Sequence, residues 1–246
     1  MLLPVYTCDF DITSYELDAQ MRLRLSSVLR FMQEAAGRHL ESRGLTYEYM
    51  RQNGVVFLLT RVGLKITRLP AWHECVTVQT WFVRIEGAQF VREMRFCDAG
   101  GETLIEAQTL WITADPQSHR IIRPDNNFFK MQPAEGEKVD ITAERVAVLK
   151  QAPCVGRKEV RYSDLDCNRH LNNAVYADLI CDFFPGGFFG REIDRLSIDF
   201  FGEALLGEII EITAGEDARG RVVVSGNTDT HRCFGACVEL RDGLGK

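Results

Sequence analysis

The chain has 246 residues and 46% hydrophobic side chains, enough apolar material for a sizeable core in one large domain or two small ones. Its formal net charge of −6 excludes a general nucleic-acid binder, which needs a broad basic surface to displace counterions. A small-molecule or protein partner is the expectation.

At the start, Met1-Leu2-Leu3-Pro4-Val5 carries no basic leader, and no apolar run in the chain approaches the roughly 20 residues that span a bilayer, so a cytoplasmic protein with no membrane span is expected. The eight cysteines form no CxxC pair and no zinc-finger spacing with histidine; reduced thiols and no metal are expected. From Leu25 to Leu40, Leu25, Val28, Leu29, Met32, Ala35, Ala36 and Leu40 fall on one helical face, with Ser26 or Ser27 as the cap and Gly44 as the stop. Strand-like alternation follows at Val62, Leu64 and Ile66. Asp98-Ala99-Gly100-Gly101 then separates a strand around Phe90 to Phe96 from one around Thr103 to Ile112. The segment from Ala114 to Pro153 is polar, carries Pro116, Pro124 and Pro133, and reads as a connection, with a short helix allowed from Ala143 to Leu149.

A second helix follows, capped by Asn172 or Asn173, striped by Val175, Tyr176, Leu179, Ile180 and Phe183, and ended by Pro185-Gly186-Gly187. Strands then recur at Leu196, Ile198 and Phe200, at Val222 to Val224 and from Cys233 to Leu240. A slide of 134 positions pairs Val62 with Leu196 and also Glu74 with Glu208, Val76 with Ile210 and Val78 with Ile212. The chain is thus read as α+β, one helix with about four antiparallel strands given twice, each sheet curving around its helix and the two sheets joined edge to edge. The boundaries expected are an N-terminal repeat over 1–125, a linker over 126–153 and a C-terminal repeat over 154–246.

The densest chemistry precedes the second helix, in Asp166-Cys167-Asn168-Arg169-His170-Leu171-Asn172-Asn173. If this segment is extended, Asp166, Asn168 and His170 project to one side and Cys167 to the other. Asn172 and Asn173 add a helix N-terminus whose backbone N–H groups polarise a carbonyl, an arrangement suited to acyl transfer to water. An alignment of Tyr15 with Tyr162 sets Ala19, Met21 and Leu23 opposite Asp166, Asn168 and His170, while the strand register sets Leu69 opposite Glu203. That asymmetry suggests chemistry in the second half and an apolar chain-binding slot in the first. Acid and amide residues also build turns and caps with no catalytic role. His39, His73, His119 and His231 read as structural or exposed, and Trp72, Trp81 and Trp111 as core or slot lining.

The Asp-x-Asn-x-His-x-x-Asn run ahead of a helix, within a helix-plus-sheet repeat, resembles the acyl-acyl-carrier-protein thioesterases. The resemblance covers nearly the whole chain. It implies a tandem (double) hotdog fold, no cofactor, and release of long- or medium-chain fatty acids from acyl carrier protein, with Asp166, Asn168, His170 and Glu203 as catalytic residues. The cysteine that follows the glutamate in plant members is Ala204 here, which leaves water as the nucleophile. Activation would come from Glu203 or His170. Arg145, Lys150, Arg157, Lys158, Arg161 and Arg169 crowd the motif, and Arg157, Lys158, Arg161 and Arg169 are candidates for docking an acidic carrier. An acyl-CoA thioesterase, a non-catalytic acyl-carrier-binding protein and a hydratase on the same fold are the alternatives. Two fused copies satisfy sheet pairing that single copies obtain by dimerising, so a monomer or homodimer is expected.

Overall fold

The computed structural model describes residues 4–118, 120–124, 129, 131–147 and 149–241. They divide into two compact units, Met1–Ala143 and Glu144–Lys246. In the first, strands β1 (Val5–Asp11), β2 (Val56–Ile66), β3 (Cys75–Glu86), β4 (Gln89–Cys97) and β5 (Thr103–Ala114) pair antiparallel in the order β1-β3-β4-β5-β2, and β6 (Ile121–Ile122) adds to β5. Helices α1 (Leu25–Glu41) and α2 (Tyr47–Gln52) also belong to this unit. In the second, β7 (Cys154–Glu159), helix α3 (Asn173–Asp182), β8 (Ile193–Phe200), β9 (Ile209–Glu216), β10 (Val222–Asn227) and β11 (Arg232–Leu240) give the antiparallel order β7-β9-β10-β11-β8. The two strand orders are the same when β1 to β5 are matched with β7 to β11, so the repeat read from the sequence is a repeat of topology.

Each unit has a strand ahead of its helix that the pattern did not suggest, β1 and β7, and the first also has the two-residue β6. β7 reads Cys-Val-Gly-Arg-Lys-Glu, all partly or fully exposed, so it carries no apolar alternation to find. Each helix fills its own sheet. Leu25, Val28, Leu29, Met32, Ala35 and Ala36 of α1 are buried, and Phe31 stacks on Phe10 with ring centroids 4.4 Å apart. In α3, Tyr176 is buried against Phe200 and Phe234, with centroids 5.6 and 5.0 Å away.

Two local expectations are corrected. Ser26 and Ser27 do not cap α1: Arg24 is the cap residue, its N–H donates to the Glu16 carbonyl (2.9 Å), and both serine hydroxyls are buried without a hydrogen-bond partner among the described residues. No helix forms between Ala143 and Leu149 among the described residues; the Val146 N–H instead donates to the buried Asp199 carboxylate at 2.8 Å.

The polar segment after β6 also contributes to the first unit's core. Val139 and Ile141 pack with Trp81, while Phe129 and Met131 join Leu45, Met50, Phe82 and Phe90. Gly63 of β2 makes this approach feasible, since a Cβ there would sit 2.8 Å from the Ala143 Cα. Trp81 is fully buried core, Trp111 packs beside Phe57, and Trp72 is 42% exposed and stacks on His73. No helix among the described residues is long and apolar enough to cross a membrane.

Candidate active site

The loop between β7 and α3 is a tight turn, not the extended segment that alternation implied. The Asp166 N–H donates to the His170 carbonyl (2.8 Å) and the Arg169 N–H to the Asp166 carbonyl (3.0 Å), with Arg169 in the left-handed region at φ 67°. The Asp166 carboxylate turns back on its own loop, where Oδ1 accepts the N–H groups of Asn168 (2.8 Å) and His170 (3.2 Å). Asp166 is therefore the residue that builds the loop. Exposed Cys167 lies at its tip.

His170 and Glu203 come together. The imidazole Nε2 stands 3.2 Å from Glu203 Oε2, with the two side chains 21% and 35% exposed. Main-chain pairing holds the two loops in register: the Leu171 N–H donates to the Ala204 carbonyl at 2.8 Å, and His170 forms a β-bridge with Leu205. Nε2 and the carboxylate oxygen are within ion-pair distance, and a carboxylate has lone pairs for a second partner.

Helix α3 begins at this loop. Asn172 is its cap, with Oδ1 accepting the Ala174 N–H at 2.9 Å, and its carbonyl accepts the Val175 N–H at 2.9 Å. Asn173 is the first helical residue, so its N–H belongs to the set at a helix start that has no intrahelical acceptor.

The same loop exists in the first unit, and it corrects the alignment of the two copies by one residue. Asp18 Oδ1 accepts the N–H groups of Gln20 (2.8 Å) and Arg22 (3.0 Å), Met21 has φ 62°, and Leu17 bridges Leu23 as Leu165 bridges Leu171. Asp166, Asn168 and His170 therefore correspond to Asp18, Gln20 and Arg22, not to Ala19, Met21 and Leu23. The expected contrast of polar against apolar does not hold in the loop. Glu203 against Leu69 does hold, because the Leu23 N–H donates to the Pro70 carbonyl just as the Leu171 N–H donates to that of Ala204. What separates the copies is a carboxylate and imidazole in one, and a leucine with an Arg22–Asp18 ion pair (3.1 Å) in the other.

Three of the four docking candidates already have carboxylate partners: Arg157 pairs with Glu211 (3.0 Å), Lys158 with Asp164 (2.8 Å) and Arg161 with Glu159 (2.6 Å). Arg169 is exposed and forms no ion pair with another described residue. Of the other histidines, His39 is buried in the first unit, His73 stacks on Trp72, and His119 lies outside the described residues. His231, read from the sequence as structural or exposed, is half-buried, and its Nε2 lies 2.9 Å from the Glu203 carbonyl oxygen. No motif surrounds it that would have drawn attention to it.

Two helix-and-sheet repeats, with an imidazole–carboxylate pair at a helix start in the second, define a double hotdog. The chain belongs to the acyl-ACP thioesterase family: the N-terminal domain of that family matches residues 4–131 and its C-terminal domain residues 149–233. It is 28% identical over 205 residues to the chloroplastic palmitoyl-acyl carrier protein thioesterase of Arabidopsis thaliana, covering 76% of this chain and 49% of that protein. It is 25% identical over 239 residues to the chloroplastic dodecanoyl-[acyl-carrier-protein] hydrolase of Cinnamomum camphora, covering 89% of this chain and 62% of that one. The chain spans about half the length of the curated relatives it matches. Among solved structures, it superposes on an acyl-ACP thioesterase from Bacteroides thetaiotaomicron with a TM-score of 0.83 at 20% identity, covering 97% of this chain and 98% of that one. The 12:0-ACP thioesterase of Umbellularia californica gives 0.83 at 20% identity, over 96% and 97% of the two chains.

Proposed function

We propose that this protein hydrolyses the thioester of long- or medium-chain fatty acyl-acyl carrier protein, releasing free fatty acid and carrier protein by attack of water. The observation that carries the reading is the 3.2 Å contact between His170 and Glu203 beside the start of α3. The curated relatives named for palmitoyl and dodecanoyl carriers support the substrate class. Eight free thiols are in keeping with a reducing compartment such as the cytoplasm.

In this scheme Glu203 takes a proton from water, whose oxygen bonds to the thioester carbon as the carbonyl π electrons move onto oxygen. His170 holds the carboxylate in place through Nε2, and the Asn168 amide donates a hydrogen bond near the reacting carbonyl. The Asn173 N–H and the positive end of the α3 dipole stabilise the oxyanion. Collapse re-forms the carbonyl and expels the thiolate, which recovers the proton from Glu203. A thiolate is a good leaving group, so positioning and charge stabilisation suffice. Asp166 serves by shaping the loop that presents Asn168 and His170.

The test is thiol release from a panel of acyl-ACP and acyl-CoA substrates by the wild type and by Asn168→Ala, His170→Ala and Glu203→Ala. Faster turnover of acyl-CoA would reassign the carrier, absence of thiol release would leave a binding protein, and near-normal rates in all three variants would remove these residues from the mechanism.

A further inference from the structure

We propose that His231 is a positioning residue for Glu203, an inference that rests on Glu203 being the base. The His231 Nε2 lies 2.9 Å from the Glu203 carbonyl oxygen. A carbonyl only accepts, so Nε2 carries the proton. The other ring nitrogen, Nδ1, faces the hydroxyls of Thr228 (3.1 Å) and Thr230 (2.9 Å), which belong to the turn between β10 and β11. The Thr228 hydroxyl also donates to the His231 carbonyl at 3.2 Å, so the ring is held by its own turn.

The segment leading to Glu203 is bound to the start of β11, just beyond that turn. The Cys233 carbonyl accepts the N–H groups of Phe201 (2.8 Å) and Gly202 (3.4 Å), and the Arg232 guanidinium lies over the Phe201 ring, 5.4 Å from its centroid. Gly202 makes room for the imidazole. A Cβ at that position would stand 2.5 Å from His231 Cδ2 and 3.1 Å from the Arg232 carbonyl oxygen.

The first unit isolates what is special here. There the Leu104 carbonyl accepts the N–H groups of Thr67 (2.9 Å) and Arg68 (3.3 Å), which sets Arg68 at the place of Gly202 and Leu69 at that of Glu203. Arg68 ties this loop down with its own side chain, through ion pairs to Glu74 (2.8 Å) and Asp98 (3.3 Å). In the copy with the carboxylate, glycine replaces the arginine and a histidine from the neighbouring turn grips the main chain instead. The main chain at Glu203 is then held twice, by His231 at its own carbonyl and by the bond from Leu171 to the carbonyl of the next residue, Ala204. Such double anchoring fixes the peptide from which the carboxylate projects, and misplacement of a base by about 1 Å can lower turnover by about 10²-fold.

The experiment compares His231→Ala, His231→Gln and Gly202→Ala, by steady-state kinetics on acyl-ACP and by crystal structures. A glutamine amide can donate to the same carbonyl, whereas the methyl of Gly202→Ala displaces an intact imidazole. His231→Ala and Gly202→Ala are expected to lower kcat by about 10- to 100-fold with KM changed less than about twofold, and to lengthen the Glu203–His170 contact. His231→Gln is expected to restore most of both. A wild-type kcat in His231→Ala, equal losses in His231→Ala and His231→Gln, or an unchanged Glu203–His170 contact in the His231→Ala crystal would overturn the proposal. If the wild type releases no thiol from any substrate, the functional reading fails, while the crystal structures still decide whether His231 positions Glu203.

Discussion

His170 Nε2 and Glu203 Oε2 stand 3.2 Å apart, and this contact joins two loops of different origin. One is the turn that Asp166 folds around its own carboxylate, and the other leaves β8. The first unit has the same two loops and the same main-chain bonds between them, yet carries Arg22 and Leu69 at these positions. The two loops share one scaffold, and the second unit places an imidazole and a carboxylate where the first has Arg22 and Leu69.

That division predicts a separation of stability from turnover. Asp18→Ala and Asp166→Ala each remove a carboxylate oxygen that accepts two backbone N–H groups, so each should destabilise by about 1–3 kcal/mol in urea unfolding. Only Asp166→Ala should also slow thioester hydrolysis, because only its loop presents Asn168 and His170. Equal turnover losses would show that both loops serve the reaction.

Carrier docking is predicted to depend on Arg169 more than on its neighbours. Arg157, Lys158 and Arg161 already have carboxylate partners, so reversing any of them disturbs a pair, whereas Arg169→Glu reverses an exposed charge beside His170. Hydrolysis of acyl-ACP should slow several-fold in Arg169→Glu, with a short thioester mimic little affected, and the difference should shrink as salt rises. Equal effects on both substrates would argue against docking.

Acid sensitivity of the fold should trace in part to His39. Burial, followed by the nearby guanidinium groups of Arg92 and Arg43, holds its imidazole at about 3. Arg92 Nη1 is 3.0 Å from Nδ1, and Arg43 Nε is 3.1 Å from Nε2. The unfolded chain takes up this proton near the ordinary value of about 6.5. Between those values the unfolded state binds more protons, so the contribution of neutral His39 is fully present above about 6.5 and is lost as pH falls toward 3, by at most a few kcal/mol. His39→Gln should flatten the dependence of the urea midpoint on pH across this window. Parallel curves for wild type and variant would contradict it.

Packing at Gly63 gives a test of the first unit's closure. With the Ala143 Cα only 2.8 Å from where a Cβ would sit, Gly63→Ala should destabilise by about 1–3 kcal/mol, read as a lowered thermal midpoint. A neutral result would mean that residues 139–143 yield easily.

Much of this fold was legible because apolar periodicity reports burial. The α1 stripe and the alternation at Val62, Leu64 and Ile66 mark faces that the structure buries. Edge strand β7 is not legible, since an exposed edge needs no such pattern, whereas β1 does alternate, with Tyr6, Cys8 and Phe10 half-buried and Thr7, Asp9 and Asp11 exposed. The loop register was misread by one residue because Tyr15 and Tyr162 were matched; both are surface side chains, 88% and 85% exposed, and constrain nothing. The bridged leucines Leu17, Leu23, Leu165 and Leu171 carry the true register. Glu203 is legible through the strand slide, whereas the contact of His231 with a main-chain carbonyl leaves no spacing signature.

The most direct test of the central claim is simultaneous measurement of free thiol and free fatty acid released from acyl-ACP by the wild type and by Glu203→Gln, an isosteric change that removes the base. Stoichiometric release of both products by the wild type, reduced by about 10² to 10³-fold in Glu203→Gln with the fold intact, is the result predicted. Wild-type turnover in Glu203→Gln would contradict it.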